Sequence, residues 1–304
     1  MKNLVLSMLA MASISVLSSC SSESDVIDEV TGGDQVEIKL NAGVIGVETK
    51  APITGADTFT PSIVGWNEKD QPSVAATAPA WTTTPTAAIA GNASSTPIAL
   101  TDKQYYDAGN VKHTYIRGYF PVGTASNGAV SFTNTTGDQD VMMTPIVDAG
   151  TRTTATAAEL TFSHKLSQLN FKVKKDASLQ GAVTLTSITI KNAELPTGFD
   201  ITTGTITYAT ATDLPIPGIS APTIGDTEAG AGSPVMIKPL ESTELSLDIV
   251  TSQGTFNNIK ATVTAIDANG GTSYTITLTF KQKDITTTAA VTDWTTATGA
   301  GDVI

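Results

Sequence analysis

The sequence has little cysteine, little arginine and few of the residues that favour helices. Cys20 is the only cysteine among 304 residues, so no disulfide can form within the chain and no site can combine several thiolates. The only arginines are Arg117 and Arg152, and the formal net charge is −12. Nucleic acids and anionic lipid surfaces bind clusters of basic residues, so this charge balance argues against both as partners.

What the chain does contain favours strands. Threonine is abundant, and 25 glycines and 14 prolines interrupt the sequence at short intervals. β-branched residues fit a pleated sheet, whereas leucine, glutamate, lysine and arginine, which are scarce here, favour helices. No segment beyond the N-terminal region has the apolar period of a helix. The composition therefore predicts an all-β protein.

The first residues predict export and lipid attachment. Lys2 is followed by an apolar run, Leu4 to Leu17, that has the length of a signal peptide and is too short to cross a bilayer. Leu17-Ser18-Ser19-Cys20 resembles a lipobox, in which two small residues precede the cysteine that accepts the lipid. We expect a signal peptide at residues 1–19, lipidation of Cys20 and a flexible acidic tether at residues 20–35. The alternative is a buried N-terminal helix with a chance cysteine.

Short alternating patterns predict strands along the rest of the chain. Val36-Glu37-Ile38-Lys39-Leu40 alternates apolar and polar residues, which is the period of a half-buried strand. Gly150 to Ala158 lacks both periodicity and large apolar residues, so we expect one domain at residues 36–152 and a second at residues 153–304. Many short strands separated by glycine and proline indicate a β-sandwich or a barrel.

Two patterns in the second half predict particular strand geometries. The alternation that includes Phe162 shifts by one residue before Leu169, so we expect one strand with a bulge near Ser167-Gln168. Asp267 to Gly271 reads as a turn, and alternating residues precede it and follow it from Tyr274 to Phe280. This arrangement predicts a β-hairpin.

Four features resemble the fimbrillin family, the lipoprotein subunits of type V pili. They are the lipobox ending at Cys20, the strand Val36–Leu40 followed by Thr49-Lys50-Ala51, the run from Leu160 to Val173, and the segment Ala289–Trp294. The resemblance implies two tandem β-sandwich domains of the transthyretin-like type. It also implies a subunit at the cell surface, in the fimbria or attached to the outer membrane through the lipid on Cys20, that mediates adhesion without catalysis.

The resemblance further implies a mechanism of assembly. A first strand fills a groove, a maturation protease removes it, and a C-terminal strand of another copy or a related subunit replaces it, giving a head-to-tail polymer. The plug residues here would be Val36, Ile38 and Leu40, and the cut would fall at Lys50, or less favourably at Lys39. The family's usual arginine is replaced by Lys50, which otherwise reads as a solvated loop lysine. The donor strand would lie within residues 285–304, with the apolar residues Val291, Trp294, Val303 and Ile304.

Other interpretations remain open from the sequence. Residues 289–294 could simply be the last core strand of their own domain, and the protein could be a monomeric surface lipoprotein that binds a glycan or a host ligand. Five aromatic residues could stack on sugars or pack in cores: Trp66, Trp81, Trp294, Tyr105 and Tyr106.

Catalytic and metal-binding patterns are weak throughout. Asp138 and Asp140, with Asp148, could offer oxygens to calcium, but their spacing fits a solvated turn better. His113 and His164 are the only histidines, and neither belongs to a zinc-binding pattern. We expect no catalytic residues, no cofactor and no metal.

Overall fold

A computed structural model describes residues 35–45, 57–282, 285–293 and 298–302. The predictions on Cys20, Lys50, Trp294, Val303 and Ile304 lie outside these ranges. Every regular element in the described part of the chain is a strand, which confirms the all-β prediction. No helix that is long and apolar enough to span a bilayer occurs among these residues.

The described residues up to His164 form short strands, most of them separated by turns that contain proline or glycine. In chain order they are β1 (Leu40–Val44), β2 (Thr58–Phe59), β3 (Ser62–Glu68), β4 (Trp81–Thr83), β5 (Ile89–Ala90), β6 (Thr96–Ile98), β7 (His113–Phe120), β8 (Thr124–Ser126), β9 (Ala129–Ser131), β10 (Met142–Met143), β11 (Val147–Asp148) and β12 (Ala158–His164).

The strands that follow are longer on average, because alternating Thr and apolar residues run with fewer breaks. They are β13 (Ser167–Lys175), β14 (Leu185–Ala193), β15 (Pro196–Asp200), β16 (Ile206–Tyr208), β17 (Thr212–Pro215), β18 (Ala229–Gly230), β19 (Val235–Ile237), β20 (Glu244–Thr251), β21 (Gly254–Thr262), β22 (Thr272–Phe280), β23 (Ile285–Asp293) and β24 (Thr298–Asp302).

The N-terminal strands build one large sheet, called here the first sheet. Its strand order is β4-β3-β7-β10-β12-β1-β6, and β11 also pairs with β7. One face carries Ile63, Ile116 and Phe162, which pack with Phe59 and Ile89 of the small β2–β5 sheet. These residues belong to the first core, and it is against this core that β1 packs.

The C-terminal strands form a sandwich of two sheets. One has the order β18-β13-β22-β23-β24, with β19 paired to β13, and the other has the order β17-β14-β20-β21. Residues that alternate along β13, β14, β20 and β22 meet between these sheets, as in other aligned sandwiches. Leu169, Leu247 and Ile276 are fully buried there.

A third core lies on the opposite face of the first sheet. Val64, Tyr119 and Met143 from the first sheet pack there with Val130 and Phe199, which come from the sheet β16-β15-β9-β8. Because β8 and β9 precede the predicted boundary at residue 153 and β15 and β16 follow it, this sheet joins the two halves of the chain.

Three strand predictions for the second half differ from the structure. Residues 158–164 do not open a second sandwich, because β12 pairs with β1 and β10 of the first sheet. The change of face after Phe162 is not a bulge near Ser167-Gln168; the chain instead leaves one sheet at His164 and enters another at Ser167. The turn at residues 267–271 crosses between sheets, so β21 and β22 do not form the predicted hairpin.

Candidate assembly interface

The first described strand, β1, is an internal strand of the first sheet. It pairs in parallel with β12 from Leu40↔Ala158 to Val44↔Phe162. On its other side it pairs antiparallel with β6, and that ladder includes Leu40↔Ile98. An N-terminal segment therefore separates two strands that come from later in the chain.

Backbone hydrogen bonds extend this pairing before and after β1. The N–H of Ile38 donates to the carbonyl of Gln104 at 2.9 Å, and Glu37 forms an antiparallel bridge with Tyr105. At the other end, the N–H of Val44 donates to the carbonyl of Ala93 at 2.9 Å. The strand predicted at residues 36–40 is therefore paired, although its regular ladder is shifted toward residue 44.

The buried face of the segment continues the predicted alternation. Ile38, Leu40 and Ala42 are 3%, 2% and 0% exposed and belong to the first core, whereas Val36 packs at its margin. Burying an isoleucine or leucine side chain contributes about 1.5–3 kcal/mol. No residue larger than glycine fits at Gly43 without a shift of the backbone, because a Cβ atom there would lie 2.9 Å from the backbone nitrogen of Ser95.

A polar contact on the exposed face of β12 also holds β1. One carboxylate oxygen of Glu159 accepts a hydrogen bond from Nδ2 of Asn41 at 2.5 Å, and the other accepts one from the hydroxyl of Ser95. The Ser95 hydroxyl, followed by the Asn41 amide, lowers the pKa of Glu159. Glu159 thus joins β1, β12 and the loop before β6, a role that the sequence did not reveal.

The C-terminal strands differ strongly in how firmly they are held. β23 pairs with β22 over its whole length, from Ile285↔Phe280 to Asp293↔Thr272. Ala289 is buried in the C-terminal core, and the hydroxyl of Thr287 donates to the carbonyl of Lys260 at 2.7 Å. Within the described ranges, β24 is an edge strand whose one ladder is with β23. Val291 lies within β23, opposite Tyr274.

The residues considered for calcium binding are not brought together. Asp138 accepts a hydrogen bond from Thr136 at 2.8 Å, and Asp148 pairs with His113 at 2.8 Å. Asp140 is buried against His164. Across the described ranges, no group of three or more His, Cys, Asp or Glu side chains could hold a metal ion.

Two of the aromatic residues considered for sugar stacking lie inside the protein. Trp66 is 1% exposed, and its Nε1 donates to the carbonyl of Thr77 at 3.2 Å. Tyr106 is 7% exposed and donates to the carbonyl of Ala149 at 2.9 Å. These two rings pack in cores, so neither offers an exposed surface for stacking.

A buried ionisable pair that the sequence did not predict lies beside the last residue of β12. Nδ1 of His164 is 2.7 Å from Oδ2 of Asp140, and both side chains are 1% exposed. Burial raises the pKa of Asp140 to about 7 and lowers the pKa of His164 well below 6.5. His164 continues the apolar face of Leu160 and Phe162, so the sequence indicates that it is buried, but no pattern identifies Asp140 as its partner.

The sequence matches the Fimbrillin-like family over residues 49–294, which is most of the chain. The protein belongs to the fimbrillin-like family. No curated protein sequence matches it significantly. The family match begins after β1 and ends at Trp294, so it excludes both the first strand and residues 295–304.

Solved structures share the fold of this fimbrillin-like chain. A candidate cell adhesion protein of Bacteroides uniformis has a TM-score of 0.56 and 19% identity, covering 85% of this chain and 99% of its own. A candidate cell adhesion protein of Bacteroides ovatus has a TM-score of 0.53 and 16% identity, with coverages of 90% and 99%. A fimbrial protein of Bacteroides vulgatus has a TM-score of 0.50 and 14% identity, with coverages of 84% and 99%.

Proposed function

We propose that this protein is a structural subunit of a surface fimbria and that it assembles by exchanging one strand. In this proposal a lipid on Cys20 holds the precursor at the outer membrane, facing the outside of the cell. A protease then cuts at Lys50, β1 leaves the first sheet, and a C-terminal segment of another copy or a related subunit takes its place. The resulting fimbria mediates adhesion.

The position of β1 is the observation that supports this proposal most strongly. β1 is covered on both edges, by β12 and by β6, yet it comes from the segment just before the proposed cut. Its removal would leave the ladder partners at Ala158–Phe162 and Thr96–Ile98 unpaired and would uncover the core around Ile38 and Leu40. An added strand would restore both the backbone pairing and the apolar burial.

The extensive pairing of β23 restricts which residues can form the donor strand. β23 contributes Ala289 to its own core and pairs with β22 at nine positions, so its release would disrupt the C-terminal sandwich. Among the described strands, β24 pairs only with β23, at the sheet edge, and its sequence, Thr-Gly-Ala-Gly-Asp, has no large apolar residue. We therefore propose that residues 294–304 form the donor segment, with Trp294, Val303 and Ile304 as its apolar residues, and that Val291 stays in its own sheet.

A contact between the acceptor groove of one copy and the donor segment of the next can repeat from copy to copy. The acceptor groove lies in the first sheet and the donor follows the C-terminal sandwich, so each copy offers one of each. Such a head-to-tail contact does not close on itself and gives a filament. Lys50 in place of the family's usual arginine implies a protease that accepts lysine.

The proposal can be tested with a soluble precursor in which Cys20→Ser prevents lipidation and a specific protease site follows Lys50. We expect the cut protein to form long polymers that the uncut protein does not form, measured by size-exclusion chromatography with light scattering. A matched variant that ends at Asp293 should be cut equally well but should not polymerise. Adding a peptide of residues 294–304 to this cut variant should give a one-to-one complex.

Two results would count against strand exchange. One is a cut protein that loses residues up to Lys50 and yet stays monomeric, without binding the peptide. The other is a variant ending at Asp293 that polymerises as readily as the full chain.

A further inference from the structure

An open cavity lies beside the first strand and has no role in the assembly described so far. It has a volume of about 390 Å³ and is lined mainly by small apolar residues, including Ala88, Ile89, Ala93, Pro97 and Ile98. Alanine and proline side chains leave room that a single larger side chain can fill. Ala88 is exposed at its surface.

Two residues in the wall of this cavity also contact β1. Ala93, in its wall, accepts the hydrogen bond from the N–H of Val44 at 2.9 Å. Ile98, also in its wall, is the register partner of Leu40. The cavity therefore adjoins the proposed acceptor groove while β1 still occupies that groove, and two of its wall residues contact the strand to be replaced.

The chemistry of the cavity fits the donor segment. None of the lining residues is charged, although the chain as a whole has a net charge of −12. Two copies of such a chain repel each other at long range, so an uncharged contact between them is favoured. Residues 294–301 (Trp-Thr-Thr-Ala-Thr-Gly-Ala-Gly) are also uncharged, and Trp294 is the only aromatic residue between Ile285 and Ile304.

We propose that this cavity binds Trp294 of a second copy before β1 is released, and so starts strand exchange. A buried aromatic side chain supplies a large apolar contact area and often dominates the energy of an interface. Docking of Trp294 holds the donor segment next to β1. Replacement of β1 then takes place within one complex and needs no further encounter in solution. This inference rests on the proposed function, because it names the first contact of the same exchange.

The test uses the uncut precursor, in which the groove is still filled by β1. A fluorescein-labelled peptide of residues 285–304 is titrated, and binding is followed by fluorescence polarisation. Ala88→Phe fills the cavity, and Ala125→Phe, on exposed β8, is the matched control that adds the same ring elsewhere. We expect Ala88→Phe in the protein, or Trp294→Ala in the peptide, to weaken binding at least tenfold, and Ala125→Phe to leave it unchanged.

Circular dichroism establishes that both phenylalanine variants are folded before binding is compared. A filled cavity that binds the peptide as well as wild type, or an uncut wild-type protein that does not bind it, overturns the inference. The proposed function is judged separately, by polymerisation of the cut protein. If the cut wild type and Ala88→Phe polymerise at the same rate, strand exchange stands and the role of the cavity is refuted.

Discussion

Truncation of one buried side chain in β1 should weaken the precursor by an amount that the packing predicts. Leu40 is 2% exposed in the first core, at a position paired on both sides with Ala158 and Ile98. Replacing a fully buried leucine with alanine costs about 2–5 kcal/mol, because apolar contacts are lost and a cavity remains. We therefore expect Leu40→Ala to lower the free energy of unfolding of the uncut precursor by that amount.

Urea unfolding followed by tryptophan fluorescence measures this loss, since Trp66 is 1% exposed in the folded protein. The matched control is Val74→Ala, which also shortens an apolar side chain but at a site that is 72% exposed. Surface substitutions of this kind usually stay within about 0.5 kcal/mol of wild type. If Leu40→Ala costs no more than Val74→Ala, the claim that β1 is anchored in the first core is refuted.

The same substitution also tests exchange. If β1 must leave before a donor segment replaces it, a weaker β1 leaves faster. A loss of 2 kcal/mol, the lower end of the expected range, corresponds to roughly a 30-fold change in an equilibrium or a rate. After cleavage at Lys50, we expect the Leu40→Ala protein to take up the donor peptide faster than wild type, by up to about 30-fold for a loss of 2 kcal/mol. Equal rates would show that release of β1 does not limit exchange.

Two further predictions concern packing and protonation. Gly43→Val should destabilise the precursor by about 1–3 kcal/mol, seen as a lower midpoint of thermal unfolding, because its Cβ would meet the backbone nitrogen of Ser95 at 2.9 Å. For the buried pair, the folded wild type carries one proton on Asp140 below about pH 7, because burial raises the pKa of that carboxyl. The unfolded wild type carries one proton on His164 below its ordinary pKa of 6.5, and Asp140 takes up a second only below pH 3.8. Between pH 3.8 and 6.5 both states therefore bind one proton, and the pair adds little pH dependence to the stability. In Asp140→Asn the unfolded chain still binds a proton on His164, but the folded chain does not, because burial lowers the pKa of His164. The stability of this variant relative to wild type should therefore fall by about 1.4 kcal/mol per pH unit as pH drops below 6.5. Parallel urea titrations at pH 7 and pH 5 that show no such divergence between the two proteins would contradict this.

Local sequence patterns predicted strands well wherever side chains alternate between core and solvent. Ile38 and Leu40 are buried as their alternation implied, and Tyr274, Ile276 and Leu278 line the C-terminal core. The period of a strand depends only on neighbouring residues, so it can be read without knowledge of the partner strands.

Sheet membership could not be predicted in the same way. Phe162 and Leu169 look like parts of one bulged strand, yet they lie in different sheets because the chain crosses over at residues 165–166. The turn at residues 267–271 has hairpin composition, but β22 pairs in parallel with β13. Both outcomes depend on partners that are distant in sequence.

The candidate interface was partly visible from the sequence. The resemblance to fimbrillins pointed to Val36, Ile38 and Leu40, but the contacts of Asn41 and Ser95 with Glu159 come from three separate segments. The cavity beside Ile98 is likewise formed by backbone placement of small residues, which have no motif of their own. The division at residue 153 remains a proposal, although strands on both sides of it share one sheet.

The central claim is that a segment of another subunit takes the place of β1 next to β12, and an engineered disulfide tests it most directly. Glu159 is exposed on β12 opposite Asn41, whose side chain reaches it, and Cys20→Ser leaves no other thiol. Glu159→Cys is combined with one cysteine in the donor segment, at Thr296, Thr298 or Ala300 in turn. After cleavage at Lys50 and mild oxidation, at least one pair should give a ladder of covalently linked subunits on a non-reducing gel, and the uncut protein should give none. Cut protein that stays as single subunits with all three pairs would contradict the account.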